Sequence, residues 1–185
     1  MEQQHFNIGN DYFARGDYDS AIMEFTKTIE INHSDFRAYA FRGRAYGNKG
    51  DYDRAIIDFS KLIQLRPNES VAYLDRGDCY RLKSDYALAI ADYTICIKLE
   101  PGLADAYRNR GIAYLSIGDY DRSISDFSKA IQLDPNDAVA AYGLGGIHHS
   151  QGALDRAIAE YSNAIQLKPE WVEAYLVLCQ RWIDG

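Results

Sequence analysis

Apolar and aromatic side chains return along this chain with the rhythm of one helical face. Between Phe36 and Lys49 they fall at Phe36, Tyr39, Ala40, Gly43 and Tyr46, an i, i+3, i+4, i+7 spacing that predicts a first helix, A. Gly50 then offers a residue that accepts positive φ, and Asp51 stands where it can cap a second helix, B, with Asp53 at that helix's positive end. Helix B is predicted from Ala55, Ile56, Phe59, Leu62, Ile63 and Leu65, and it stops at Arg66-Pro67-Asn68 because proline excludes the helical conformation from the residue before it. Two antiparallel helices joined by so short a turn make a helical hairpin, and small residues such as Gly43 and Ala55 are expected to let the two backbones approach.

The same pattern is written five times. Gly9, Gly43, Gly77, Gly111 and Gly145 are each 34 residues apart, Tyr12, Tyr46, Tyr80, Tyr114 and His148 come three residues later, and Pro67, Pro101, Pro135 and Pro169 share one slot. No insertion or deletion disturbs the register from Glu2 to Trp171. Such a period marks an array in which each unit buries its apolar face only against its neighbours. The A helices are expected near Met1–Arg15, Phe36–Lys49, Ser70–Lys83, Ala104–Ile117 and Ala138–Gln151. Their B partners are expected near Tyr18–Ile31, Tyr52–Leu65, Tyr86–Leu99, Tyr120–Leu133 and Leu154–Leu167.

Small residue, Tyr, Gly, Ala, aromatic and Pro at fixed slots, here Gly43, Tyr46, Gly50, Ala55, Phe59 and Pro67, resemble the tetratricopeptide repeat (TPR) family. The resemblance implies an all-α fold, an α-solenoid coiled as a right-handed superhelix, with five units at 2–35, 36–69, 70–103, 104–137 and 138–171. A C-terminal half-repeat helix within 172–185 brings the expectation to about 11 helices in one domain, 1–185. Departures are local: His33 stands in the proline slot, Ser84 replaces the turn glycine, Ser123 the alanine, and Ala153-Leu154 the Asp-Tyr pair. Arg42, Arg76 and Arg110 occupy a slot where the family more often has Leu. An Asp lies 16 residues after each, at Asp58, Asp92 and Asp126, which predicts an ion pair between helices A and B in the three central repeats. As surface pairs these would contribute at most about 1 kcal/mol each.

Composition narrows the functional classes. A hydrophobic content of 47% over 185 residues suffices for one continuous core, and no run of 18 apolar residues suggests a membrane span. A net charge of -7 argues against a nucleic-acid partner, since no basic excess exists to displace counterions. The opening MEQQHF has neither the basic start nor the apolar core of a secretory signal, so a cytoplasmic location is expected. Cys79, Cys96 and Cys179 form no CxxC and fall at packing positions, as reduced thiols would. His148 and His149 point about 100° apart on a helix and cannot chelate one ion, and no phosphate loop, zinc motif or nucleophile elbow occurs. The expectation is a protein that is not an enzyme and carries no cofactor or metal.

Function then falls to the surface. In the family the A helices line the concave face, and the resemblance places partner contacts at the second, fifth, sixth, ninth and twelfth positions of each unit. Here those are Phe6, Asn7, Asn10 and Phe13, then Arg37, Phe41 and Arg44, then Leu74, Asp75, Asp78 and Arg81. They continue at Asp105, Arg108, Asn109 and Ile112, and at Tyr142, Gly146 and His149. The mixture of aromatic and charged groups suits an extended or helical peptide with apolar anchors and charges. The family's clamp for a terminal carboxylate is absent, because its slots hold Phe6, Asn10, Phe41, Val71 and Asp75, of which only Asn10 fits. Asparagine at position six occurs only at Asn7 and Asn109, too few for a backbone-binding ladder. The last helix, expected over Val172–Ile183, is apolar on several sides, and Leu176, Val177, Trp182 and Ile183 are expected to meet a second copy of the chain or further chain. Two functional readings result: a non-catalytic scaffold holding a protein segment, or the interaction or dimerisation region of a larger protein such as a glycosyltransferase or secretion assembly factor.

Overall fold

The computed structural model describes residues 1–170. They form α1 (Glu2–Ala14), α2 (Tyr18–Ile31), α3 (Phe36–Asn48), α4 (Tyr52–Leu65), α5 (Ser70–Leu82), α6 (Tyr86–Leu99), α7 (Ala104–Ser116), α8 (Tyr120–Leu133), α9 (Ala138–Ser150) and α10 (Leu154–Leu167). Odd-numbered helices are the predicted A helices and even-numbered ones the B helices. The expected eleventh helix lies outside the described residues, as do Leu176, Val177, Cys179, Trp182 and Ile183.

The B helices occupy the expected ranges, while each A helix ends one residue early for a single reason. The chain turns through a left-handed residue, Gly16, Gly50, Gly118 or Gly152 at φ between 74° and 79°, and the residue before it becomes the cap. Asp51 N–H then reaches back to the Tyr46 carbonyl at 2.9 Å, and Asp17, Asp85, Asp119 and Ala153 repeat this closure to Tyr12, Tyr80, Tyr114 and His148. Ser84 takes the same conformation at φ 64°, with a side chain where glycine is usual. Asp17, Asp51 and Asp119 each accept a bond from the amide three residues on, at 3.2 Å, and so cap α2, α4 and α8.

Two compact units are present, Met1–Leu99 and Glu100–Gly185. In the first, each A helix packs on its own B helix, each B helix packs on the next A helix, and α1 touches α3 as α3 touches α5. The core of this unit gathers Phe6, Phe25, Ile29, Tyr39, Phe59 and Leu62. In the second unit α7 pairs with α8, α8 with α9, α9 with α10, and α7 touches α9 around Phe127, Leu144 and Ile147. Both units are all-α solenoid segments of helical hairpins.

The glycine in the middle of each A helix does something more particular than let backbones meet. A Cβ on Gly43 would lie 3.0 Å from the Phe59 ring, and Gly9, Gly77, Gly111 and Gly145 stand in the same way against Phe25, Tyr93, Phe127 and Tyr161. The ring of helix B, rather than its backbone, fills the space that the missing side chain leaves.

All three predicted Arg–Asp pairs form. Arg42 holds Asp58 through two bonds of 2.8 Å, Arg76 holds Asp92 through two of 2.8 Å, and Arg110 holds Asp126 at 2.7 and 2.9 Å. They are not surface pairs: Asp58, Asp92 and Asp126 are 2%, 4% and 5% exposed. Their energetics are therefore those of buried ion pairs, in which each partner is indispensable to the other. Burial raises the Asp58 carboxyl above its ordinary range. Burial is the largest influence on Arg42 and opposes its charge, but the hydrogen bonds to Asp58 together with that carboxylate's charge raise the guanidinium on balance. The two directions pull oppositely, and the two-pronged 2.8 Å geometry decides for the ionised pair.

Candidate functional site

The predicted contact residues fall into two sets, one in each unit. In the first unit, Phe6 is 8% exposed and its ring meets Phe25 and Phe41 at 5.8 and 5.6 Å, so both Phe6 and Phe41 belong largely to the packing. Arg37 lies over the Phe6 ring at 4.7 Å and is held by Asp35, whose carboxylate caps α3. Asn10 is exposed and Leu74 half-buried. Arg44 reaches from α3 to Asp75 on α5 at 2.8 Å. Arg81 approaches Asp78 at 3.7 Å, and its Nε is buried without a hydrogen-bond partner.

Around that charged group lies a hollow of about 260 Å³, lined by Phe13, Arg44, Gly47, Asn48, Tyr52, Phe59, Asp75, Asp78, Cys79 and Leu82. Its cause is one residue. Gly47 holds the twelfth position of its repeat, where the other four carry Phe13, Arg81, Leu115 and His149, and a Cβ there would touch nothing within 4 Å. Phe13, Tyr52 and Leu82 give the hollow apolar walls, while Arg44, Asp75 and Asp78 give it a polar side.

Each acid is held differently. Burial raises the Asp75 carboxyl, and Arg44 offsets this only in part. Asp78 accepts the Tyr93 hydroxyl at 2.6 Å, and burial together with the Asp78 charge pushes that phenol well above its ordinary value, so it remains a donor. Burial and the same two aspartates push the Cys79 thiol up to about 12. Cys79 is thus a protonated wall of the hollow and not a nucleophile at neutral pH.

In the second unit the predicted residues are largely engaged with one another. Arg108 bridges Asp105 at 2.7 Å and Asp137 at 3.3 Å, and Asn109 is buried beside it. Ile112 packs on the core, the Tyr142 ring meets that of Tyr161 at 5.4 Å in a tilted contact, and His149 is exposed. Gly47, Asn48, Tyr52, Phe59, Cys79 and Leu82 also line the hollow and were not among the contact residues expected from the sequence. The available signal was Gly47, the smallest side chain in a slot otherwise filled by large ones. Among the described residues no group of three or more His, Cys, Asp or Glu could hold a metal ion, and no helix is long and apolar enough to cross a membrane.

Comparison with known proteins bears on this surface. Tetratricopeptide repeat models match residues 36–69, 70–102 and 138–170 and, separately, 104–137, and a TPR repeat model matches 9–50. No curated protein sequence matches the chain. MamA (residue 41 to the end) from Desulfovibrio magneticus RS-1 superposes with a TM-score of 0.85 at 25% identity, over 92% of this chain and 96% of that one. PilF of Pseudomonas aeruginosa gives 0.83 at 16% identity, over 94% of this chain and 79% of that one. YrrB, a TPR protein with an unusual peptide-binding site, gives 0.78 at 21% identity, over 94% of this chain and 89% of that one. The last two likenesses are of fold alone.

Proposed function

We propose, for a chain that belongs to the tetratricopeptide repeat family, that it is a non-catalytic scaffold holding a segment of another protein against its A helices in the first unit. The hollow opened by Gly47 carries this reading. It offers an apolar anchor site bounded by Phe13, Tyr52 and Leu82, with Arg44, Asp75 and Asp78 beside it to set register and orientation. Arg81 Nε, buried and without a hydrogen-bond partner, stands 3.7 Å from Asp78, which lines the hollow. A peptide with an apolar or aromatic anchor and neighbouring polar groups fits this chemistry, and YrrB, which shares the fold, is a TPR protein with an unusual peptide-binding site.

Peptides selected from a random display library on the intact chain provide the test. Gly47→Leu places in the second repeat the residue type that the fourth repeat already carries at Leu115, so the fold should be kept. Selected peptides are expected to bind the wild type and to lose at least about tenfold in affinity on the variant. Failure to select any peptide, or equal binding by a folded Gly47→Leu variant, would overturn the reading.

A further inference from the structure

The B helix of the third repeat, α6, departs from the others on the side turned away from α5. Helix α4 presents Arg54 and Lys61 there, and α8 presents Arg122 and Lys129. In α6 the same slots hold Leu88 and Ile95, 51% and 39% exposed, with exposed Ala91 between them. Ala87 likewise stands where α4 and α8 have Asp53 and Asp121. A helix apolar on every side is ordinarily covered on every side, so this stripe calls for an occupant.

We infer that the α6 stripe pairs with the α6 of a second copy of the chain, antiparallel and about a two-fold axis. The stripe is complementary to itself. In chain order it reads Asp85, Leu88, Ala91, Ile95 and Lys98, all exposed, with the small Ala91 at its centre. Turned end for end about a point beside Ala91, Leu88 faces Ile95 of the other copy and Asp85 faces Lys98. Ala91 lets the helices cross closely, the apolar residues fill both flanks, and two opposite-charge pairs close the ends. A parallel arrangement would set Asp85 against Asp85 and Lys98 against Lys98. The pairing is independent of the Gly47 hollow, which opens on the A helices.

Light scattering and sedimentation over a concentration series of the intact chain decide it. The wild type is expected to dimerise, and Leu88→Arg with Ile95→Lys, the residues that the second repeat carries at Arg54 and Lys61, should leave a folded monomer. Because the axis doubles every change, Lys98→Asp should weaken the dimer by about tenfold, and adding Asp85→Lys should restore it. Circular dichroism on each variant separates loss of pairing from loss of fold. A wild type that stays monomeric at all concentrations, a dimer that survives Leu88→Arg with Ile95→Lys, or charge reversals that fail to compensate would each overturn the pairing.

Discussion

Gly43 and Gly47 lie one turn apart on α3, and they are glycines for opposite reasons. A Cβ on Gly43 would press on the Phe59 ring at 3.0 Å, whereas one on Gly47 would meet nothing. Gly43 faces the seam between the two helices of its hairpin, where every repeat makes the same contact. Gly47 faces outward, where every repeat differs. Side chains that recur in this chain answer to the partner helix of their own hairpin, and side chains that vary answer to the next repeat or to the open surface.

The strongest way to break the seam is to orphan a buried charge. Arg76→Ala leaves Asp92, 4% exposed, without its guanidinium, and should cost about 3–5 kcal/mol in urea unfolding. Replacing both partners, as Arg76→Met with Asp92→Leu, should recover most of that loss; a double variant as unstable as the single one would show that the clasp itself carries the stability. Next come the two glycines. Gly43→Ala forces the Phe59 ring aside and should destabilise by about 1–3 kcal/mol, while Gly47→Ala should stabilise by about 1 kcal/mol through helix propensity. Equal effects from the two would erase the distinction between seam and surface. Ser84→Gly should raise thermal stability by about 1 kcal/mol, because it relieves a side chain at φ 64° in the only one of the five described A-to-B turns that lacks glycine.

The smallest effect concerns pH. Since burial raises the Asp75 carboxyl, the folded protein binds that proton more readily than the unfolded chain does. The stability it contributes is fully present below the ordinary carboxylate range and declines as pH rises through the raised value. Asp75→Asn should therefore flatten the fall in stability as pH rises above the ordinary carboxylate value of about 4, as measured by denaturant midpoints at each pH.

Much of this seam was legible in the sequence because its determinants are local and repeated. Pro67 ends a helix wherever it stands, Gly50 supplies a left-handed turn, and Asp51 caps the helix after that turn. Even the Arg42–Asp58 clasp could be read from a spacing of 16 residues, since two antiparallel helices of known length meet at fixed positions. Its burial could not, because exposure depends on what the next hairpin lays over it. The outward face was less legible for the same reason. Phe6 and Phe41 were expected to await a partner, yet their rings close on each other at 5.6 Å across two repeats. Arg44 and Asp75, 31 residues apart, meet only because α3 and α5 lie side by side. Gly47 was visible throughout, but an absent side chain becomes a hollow only once its surroundings are known.

The arginines of the seam do more than tie a hairpin together. Arg42 on α3 also donates to the Thr26 hydroxyl on α2 at 3.0 Å, and Arg76 on α5 donates to Ser60 on α4 at the same distance. Each guanidinium therefore spans three helices and belongs to two successive repeats at once. In a chain of nearest-neighbour units, such a bond enters the coupling between units rather than the stability of any one of them. A repeat cannot fray from its neighbour without breaking the bond between a hydroxyl of one and the guanidinium of the other. The first three repeats should accordingly melt as one cooperative block, with amide exchange protection that is level across them instead of fading toward the ends.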